Sequence, residues 1–261
     1  MTSPVDAIPV VRDLPERVGL SVALFHGFGR GPDALDDLTS RLVAVGAEVL
    51  RPHLRSSGGS GGMNDIAVMG TIAQQVEAQR SPGVPLVIIG HSAGGQVALE
   101  AARTQVALEA ARTLVCDGAD VRGVILIDGN ASRERVLEPA YAQLVAHGVP
   151  VRLIAGAPGR CNRGGRLEKW LSENASGFAG VRVLTGRHCD VEGERADLAC
   201  RLLCGGVKDS RNVEVLMSLV REWVIEWSTG PGPTLGAPAM GAIDEWVTAG
   251  VVRPIVGANS R

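Results

Sequence analysis

The stretch Val84-Pro85-Leu86-Val87-Ile88-Ile89-Gly90-His91-Ser92-Ala93-Gly94-Gly95 decides how the rest of the chain is read. Leu86 to Ile89 is a short apolar run rich in β-branched residues, and it stops at Gly90. An Ala-rich helical pattern follows Gly95, so the segment reads strand, tight turn, helix. Gly90-His91-Ser92-Ala93-Gly94 has the spacing G-x-S-x-G. A serine on so sharp a turn sits at strained φ/ψ, which requires small residues two positions to either side. The turn exposes the Ser92 hydroxyl at the carboxyl edge of a sheet. It also aims the first amides of the next helix at any oxyanion formed there. The competing reading is a Gly-rich turn with an incidental serine; the strand before and the helix after weigh for a nucleophile.

Outward from Ser92 the same alternation repeats. Val18 to Phe25 reads as a buried strand ending in His26-Gly27-Phe28-Gly29, followed by a helix over Asp33 to Val45 and a strand over Ala47 to Arg51. A Ser/Gly-rich loop, Ser56 to Gly62, precedes a helix over Asn64 to Ala78. Beyond Ser92, strands are predicted over Val121 to Ile127, Val149 to Ala155 and Val181 to Leu184. Helices are predicted over Arg133 to His147, Arg166 to Glu173, Glu194 to Leu203 and Asn212 to Trp227, with one more over Ala242 to Thr248. Such alternation implies an α/β fold with a mainly parallel central sheet and helices on both faces. About twenty residues separate Asp128 from the next strand, too few for a large cap.

A chain of 261 residues without an internal linker is expected to form a single domain, with 228–261 as a Gly/Pro-rich carboxyl-terminal extension. The formal net charge of −2 and the absence of a basic run argue against nucleic acid and anionic membranes as partners. The amino terminus lacks a basic region followed by a long apolar one, and no stretch reaches about 18 uncharged apolar residues. A cytoplasmic location without a membrane span is therefore expected, or a secreted one if a leader has been removed. The five cysteines, Cys116, Cys161, Cys189, Cys200 and Cys204, match no zinc spacing and are expected as free thiols.

Parallel sheets place functional residues in the loops beyond the carboxyl ends of their strands. Here those loops hold His26, His53, Ser92, Asp128, Asn130, Cys161, Asn162, His188 and Asp190. Acyl transfer by a serine requires a base, a group that orients the base, and two oxyanion donors. Of the five histidines, His188 follows the last strand and lies downstream of both serine and acid; His53 is its rival. The loop after Ala155 offers no carboxylate, whereas the preceding strand ends directly in Asp128, which keeps the order Ser, Asp, His. The alternatives are that Asp128 is only the turn residue of an Asp-Gly pair, and that Asp190 is the acid. The backbone amides of Phe28 and Ala93 are the expected oxyanion donors, since Gly27 and Gly29 permit close backbone approach.

His26-Gly27-Phe28-Gly29, Gly90-His91-Ser92-Ala93-Gly94-Gly95, the strand ending in Asp128 and the segment around His188-Cys189-Asp190 together resemble the α/β-hydrolase superfamily over Val18 to Trp227. The Cys161-Asn162 pair and His188-Cys189-Asp190-x-Glu192 resemble, more narrowly, the chlorophyllase-like and dienelactone-hydrolase-like esterases. The resemblance implies nucleophile, acid and base at Ser92, Asp128 and His188, with Phe28 and Ala93 as oxyanion donors. It also implies an open site for a bulky ester, and no cofactor or metal. In the resembling proteins the late cysteines can be bridged; Cys161 and Cys189 follow neighbouring strands and could meet, whereas the Cys200–Cys204 spacing suits one helix face better than a bridge. A carboxylic-ester hydrolase is the leading expectation. A thioesterase or acyltransferase with the same residues, or a non-catalytic ligand-binding protein on the same scaffold, stands beside it.

One feature departs from any family pattern. Gln96 to Thr104 reads Q-V-A-L-E-A-A-R-T, and Gln105 to Thr113 repeats it residue for residue. Two copies are too few for a repeat architecture. Both are strong helix formers, so one continuous helix is predicted, on the order of 33 Å from Gly95 to Cys116. Nine residues at ~100° each leave the copies half a turn out of phase. Val106, Leu108, Leu114 and Val115 are then expected as an exposed apolar stripe, with a homodimer through 96–113 as the consequence. Looping out of one copy is the alternative.

Overall fold

The computed structural model describes residues 8–54, 66–112, 120–129, 134–176, 178–204, 209–229 and 243–257; within these ranges the side chains of 66–67, 106–112 and 134–136 are not described. Eight strands form one sheet: β1 (Val10–Asp13), β2 (Leu20–Phe25), β3 (Ala47–Pro52), β4 (Leu86–His91), β5 (Val121–Ile127), β6 (Val151–Ala155), β7 (Ala179–Val183) and β8 (Val252–Val256). Their order is β1-β3-β2-β4-β5-β6-β7-β8. β2 to β7 run parallel, and the two edge strands are antiparallel to their neighbours. The parallel strands β2 to β6 are buried almost throughout, as strands covered on both faces must be.

Among the described residues there are eight α-helices: α1 (Asp36–Ala44), α2 (Ile66–Gln79), α3 (Gly94–Arg112), α4 (Glu134–Ala146), α5 (Arg166–Asn174), α6 (Leu198–Cys204), α7 (Ser210–Thr229) and α8 (Asp244–Thr248). On one face, α2, α3, α4 and α5 bury residues such as Ile72, Val97, Leu144 and Leu171 against Ile88, Leu126 and Leu153. On the other, α1 and α7 bury Leu38, Leu42, Val220 and Trp223 against Val22, Val87 and Ile125. Few aromatic residues are needed, because Trp223 and Trp227 fill that second face together; a Cβ at Gly123 would strike the Trp227 ring.

The site follows from the strand order. β2 pairs with β3 on one side and with β4 on the other, so the chain switches direction of winding at β2. Beyond the carboxyl ends of β2 and β4 their loops part and leave a crevice, the place where ligands bind in open α/β sheets. Among the described residues only α4 separates β5 from β6, and they include no large cap domain.

The predicted helix over Asp33 to Val45 begins as a 3-10 turn, Pro32–Leu35, before α1. A second 3-10 segment, Asp190–Arg195, replaces the start of the helix predicted from Glu194, because Gly193 has φ 53° and breaks the spiral. The carboxyl-terminal segment contributes β8 to the sheet edge, a strand not anticipated in the Gly/Pro-rich extension. The duplicated segment forms one uninterrupted helix, α3, which removes the looped-out alternative through Arg112. Its first copy is buried on every side from Gln96 to Ala102, between the sheet, α2 and α4. The side chains of Val106 and Leu108, and residues Leu114, Val115 and Cys116, lie outside what is described, as do Ser56 to Gly62 and Asn130.

Candidate active site

Ser92 follows β4 directly and has φ 55°, the left-handed strain that its motif predicts. The two flanking glycines have separate reasons. A Cβ at Gly90 would strike the Gly94 carbonyl and Ala98, where α3 packs over the end of β4. A Cβ at Gly94 would strike the carbonyl oxygens of Phe25 and His26, where α3 crosses the end of β2. The turn is pinned by Ser92 N–H donating to Ile127 O at 3.0 Å, one residue before Asp128.

The structure brings Ser92, His188 and Asp128 together from three strand ends. His188 Nε2 lies 2.9 Å from Ser92 Oγ, and His188 Nδ1 lies 2.6 Å from Asp128 Oδ2. The carboxylate accepts at Nδ1, so the neutral imidazole carries its proton there and presents a bare Nε2 to the hydroxyl. Asp128 itself has φ 42°, a bend that turns the carboxylate out of the strand line toward β7's loop. Its other oxygen accepts from Gly156 N–H and from Asn162 Nδ2, both at 2.9 Å. Burial alone pushes the Asp128 carboxyl up, but the His188, Asn162 and Gly156 donors together hold it below the usual carboxylate range.

The rival residues lie elsewhere. Asp190 turns away from the imidazole: its Oδ2 accepts the Arg187 amide at 2.7 Å, and burial pushes its carboxyl up to about 6. His53 is exposed and reaches only the edge of His26, with ring centroids 6.1 Å apart.

Two further residues act on these three, and sequence reasoning gave neither a role. Asn162 is buried at the centre of the loop after β6. It donates to Asp128 and to Ala157 O, and its own oxygen accepts the Gly159 and Gly165 amides at 2.8 and 3.1 Å. His91, beside Ser92, reaches across to His188 and donates from Nε2 to its backbone carbonyl at 2.9 Å. Burial, reinforced by the neighbouring His188, lowers the His91 pKa to about 3, so this donor stays neutral. A polar residue after each strand was the available signal; the partners, far apart in sequence, were not.

The loop after β2 is set by His26. Buried His26 accepts Leu54 N–H at Nε2 (3.0 Å), so its Nδ1 is protonated and donates to Gly27 O at 2.9 Å. In a trans peptide the carbonyl and the following N–H point opposite ways. Drawing the Gly27 carbonyl inward therefore turns the Phe28 N–H outward. Gly27 itself lies against Ser92: a Cβ there would come 3.1 Å from the serine Cβ. Neither the Phe28 nor the Ala93 amide donates to an acceptor among the described residues. The Phe28 ring is 64% exposed at the mouth.

A cavity of about 550 Å³ opens over these groups. It is lined by Ser92, His188, Phe28 and Ala93, by Arg160 and Arg163 from the loop after β6, and by Leu203 of α6. The cysteines around it are bridged, Cys161 to Cys204 and Cys189 to Cys200. This corrects both the expectation of free thiols and the expected Cys161–Cys189 pair. Cys200 and Cys204 do share one helical face, but each turns to a different loop. The sulfurs of Cys189, Cys200 and Cys204 lie within 4.8 Å of one another, a spacing set by these bridges, which leave no thiolate for a metal. Arg30 clamps Glu192 at the cavity wall, with Nε–Oε1 2.9 Å and Nη2–Oε2 2.5 Å.

The fold and this arrangement define an α/β hydrolase, and the comparisons agree. The sequence profile of the Alpha/beta hydrolase family matches residues 22–253, and the chain belongs to that family. A comparison with curated proteins by sequence found no match. Among solved structures, the Paleococcus ferrophilus monoacylglycerol lipase is similar at TM-score 0.55 and 13% identity, over 85% of this chain and 99% of that one. The monoglyceride lipase of Saccharomyces cerevisiae is similar at TM-score 0.54 and 13% identity, over 85% and 92%. Est1E from Butyrivibrio proteoclasticus, solved with ferulic acid, is similar at TM-score 0.52 and 14% identity, over 85% and 96%. At these identities the likeness is one of fold. Among the described residues no helix is long and apolar enough to cross a membrane.

Proposed function

We propose that this α/β hydrolase is a serine esterase that cleaves carboxylic esters through an acyl-enzyme on Ser92. The observation that carries the reading is the relay of hydrogen bonds from Ser92 Oγ through His188 to Asp128, at 2.9 and 2.6 Å, on a serine with φ 55°. Ser92 attacks the ester carbonyl while His188 Nε2 takes its proton, and Asp128 stabilises the imidazolium that forms. The amides of Phe28 and Ala93 receive the developing oxyanion. His188 then gives its proton to the leaving alcohol, and a water activated by the same nitrogen releases the acid. Asn162 and His91 are positioning residues in this scheme: one fixes the carboxylate, the other the backbone of the base. The two disulfides favour an oxidising compartment over the reducing cytosol.

The test is p-nitrophenyl ester hydrolysis across acyl lengths, beside labelling with a serine-reactive phosphonate. Wild type should turn over and label at Ser92. Ser92→Ala should do neither, and Asp128→Asn should lose about 10³–10⁴-fold in kcat through the wrong imidazole tautomer. A wild type that neither turns over nor labels would leave a ligand-binding scaffold as the reading.

A further inference from the structure

Many arginines elsewhere on the molecule are matched to carboxylates. Arg30 pairs with Glu192 and Asp197, Arg51 with Asp13 and Asp36, and Arg182 with Glu168. Arg160 and Arg163 are different. Both line the cavity over Ser92, and neither has a carboxylate partner among the described residues. Arg30 on that wall is shared between Glu192 and Asp197, and Glu192 is the carboxylate that lines the cavity beside it. The open cavity therefore carries two uncompensated positive charges and no uncompensated negative one among its described lining groups.

The backbone that carries them is anchored. Arg160 and Arg163 flank Cys161 and Asn162, and both of those residues are anchored. Cys161 is bridged to Cys204 on α6, and Asn162 is tied to Asp128 and to the Gly159 and Gly165 amides. The Arg163 amide donates to Arg160 O at 3.2 Å, which closes the turn between them, and both residues line the same cavity. Arg163 holds φ 51°, costly for a side chain of its size, between this bond and the following glycines. The loop that carries the Asp128 partner Asn162 thus also anchors the backbone that presents two exposed arginine side chains to the same cavity. A guanidinium is charged at every working pH and matches a carboxylate or phosphate through paired N–H donors.

We infer that Arg160 and Arg163 form an anion subsite, and that the esters this enzyme prefers carry a second, negatively charged group beyond the scissile carbonyl. This rests on the esterase reading and narrows it to a substrate class. The ester carbonyl sits at Ser92 with its oxygen on the Phe28 and Ala93 amides, while the remote carboxylate or phosphate is held by Arg160 and Arg163. Both ends are then fixed before attack, which lowers the entropic part of the barrier.

The experiment compares mono-p-nitrophenyl suberate, which keeps a free carboxylate, with its methyl-capped diester, at low salt. In wild type, kcat/KM for the anionic ester should exceed that for the capped one by about tenfold, the size of one or two charge-assisted contacts discounted for solvent. The ratio should fall toward one as ionic strength rises. It should also collapse in Arg160→Gln/Arg163→Gln, but persist in Arg17→Gln, which removes an exposed charge ahead of β2 at the other end of the sheet. Inhibition by free adipate against inorganic phosphate separates the two anion sources: tighter inhibition by either one, lost in the double variant, supports the subsite. Equal kcat/KM for the two esters in wild type, or a ratio that survives the double substitution, overturns the inference and leaves the esterase reading intact. Turnover of neither ester by wild type overturns both.

Discussion

His91 holds His188 by its backbone: Nε2–H of the residue before Ser92 donates to the carbonyl oxygen of His188 at 2.9 Å. The two rings lie 4.8 Å apart between centroids, so the Ser92 turn and the His188 loop are locked to one another independently of the Ser92–His188 bond. Only a neutral His91 suits this place, and burial keeps it neutral.

That neutrality has a stability signature. A histidine near 6.5 in the unfolded chain and at about 3 in the fold gives stability that is complete above pH 6.5. It is lost progressively as pH falls from 6.5 toward 3, because the unfolded chain takes the proton first. His91→Gln keeps a donor for the carbonyl but cannot titrate. Its Tm should therefore fall less than that of wild type between pH 7 and pH 4.5. His91→Phe leaves a buried carbonyl unpaired, at a cost of about 1–3 kcal/mol, and should lower kcat more than it changes KM. Thermal melts across pH, with kinetics at pH 8, check both.

Asn162→Asp should report on the acid. It replaces the donor to Asp128 Oδ1 with a second carboxylate at hydrogen-bonding distance, beside the 2.9 Å contact seen here. A second ionised carboxylate beside Asp128 adds negative charge next to the imidazole and so favours the imidazolium form of His188. The acid limb of kcat/KM against pH should move to higher pH, by about one unit, with a lower plateau. An unshifted limb would show that Asn162 serves only the loop amides of Gly159 and Gly165.

Asp190 gives the opposite pH dependence to His91. Its folded carboxyl is raised to about 6, so wild-type stability is full below about pH 4, declines as pH rises through 6 and levels off above about pH 7, where the carboxyl is ionised in the fold as well. Asp190→Asn can still accept the Arg187 amide and escapes this penalty. Discounted for solvent screening, it should gain about 1 kcal/mol, or roughly 2–4 °C in Tm, at pH 8 and nothing at pH 4. Its esterase activity should stay within about twofold of wild type at pH 8, since Asp190 faces Arg187 and not the imidazole; loss of orders of magnitude would return Asp190 to the candidate acids.

What the sequence disclosed divides by the distance over which each feature is determined. The turn at Ser92 is local: strand, glycines and helix within a dozen residues specify it. Asp128 was legible because β5 ends on it, and His188 because it follows the last parallel strand. The partners that hold them are not local, with Asn162 34 residues from Asp128 and His91 97 from His188 in sequence. Their contacts depend on strand order, which a polar residue in a loop does not encode. β1 and β8 escaped notice because short antiparallel edges bury few residues; β8 reads V-R-P-I-V, with a proline that only an edge tolerates. The cysteine pairing failed for a similar reason. Cys200 and Cys204 were placed on one helical face, but where α6 lies against the loops after β6 and β7 is decided by tertiary packing.

That placement predicts a crossed effect of the two bridges. Cys161–Cys204 closes 43 residues and Cys189–Cys200 closes 11. On chain entropy alone the first should contribute about 4 kcal/mol and the second about 3. Cys189 is the neighbour of His188, however, and α6 buries none of its own side chains. A short helix without a buried face cannot hold itself in place, so the bridges hold it. Cys161→Ser/Cys204→Ser should therefore lower Tm more, while Cys189→Ser/Cys200→Ser should lower kcat more by loosening the base. Melting curves and pH 8 kinetics on the two double variants decide it. A kcat loss confined to the Cys161–Cys204 variant would mean that the bridge beside the acid loop, rather than the one beside His188, keeps the relay aligned.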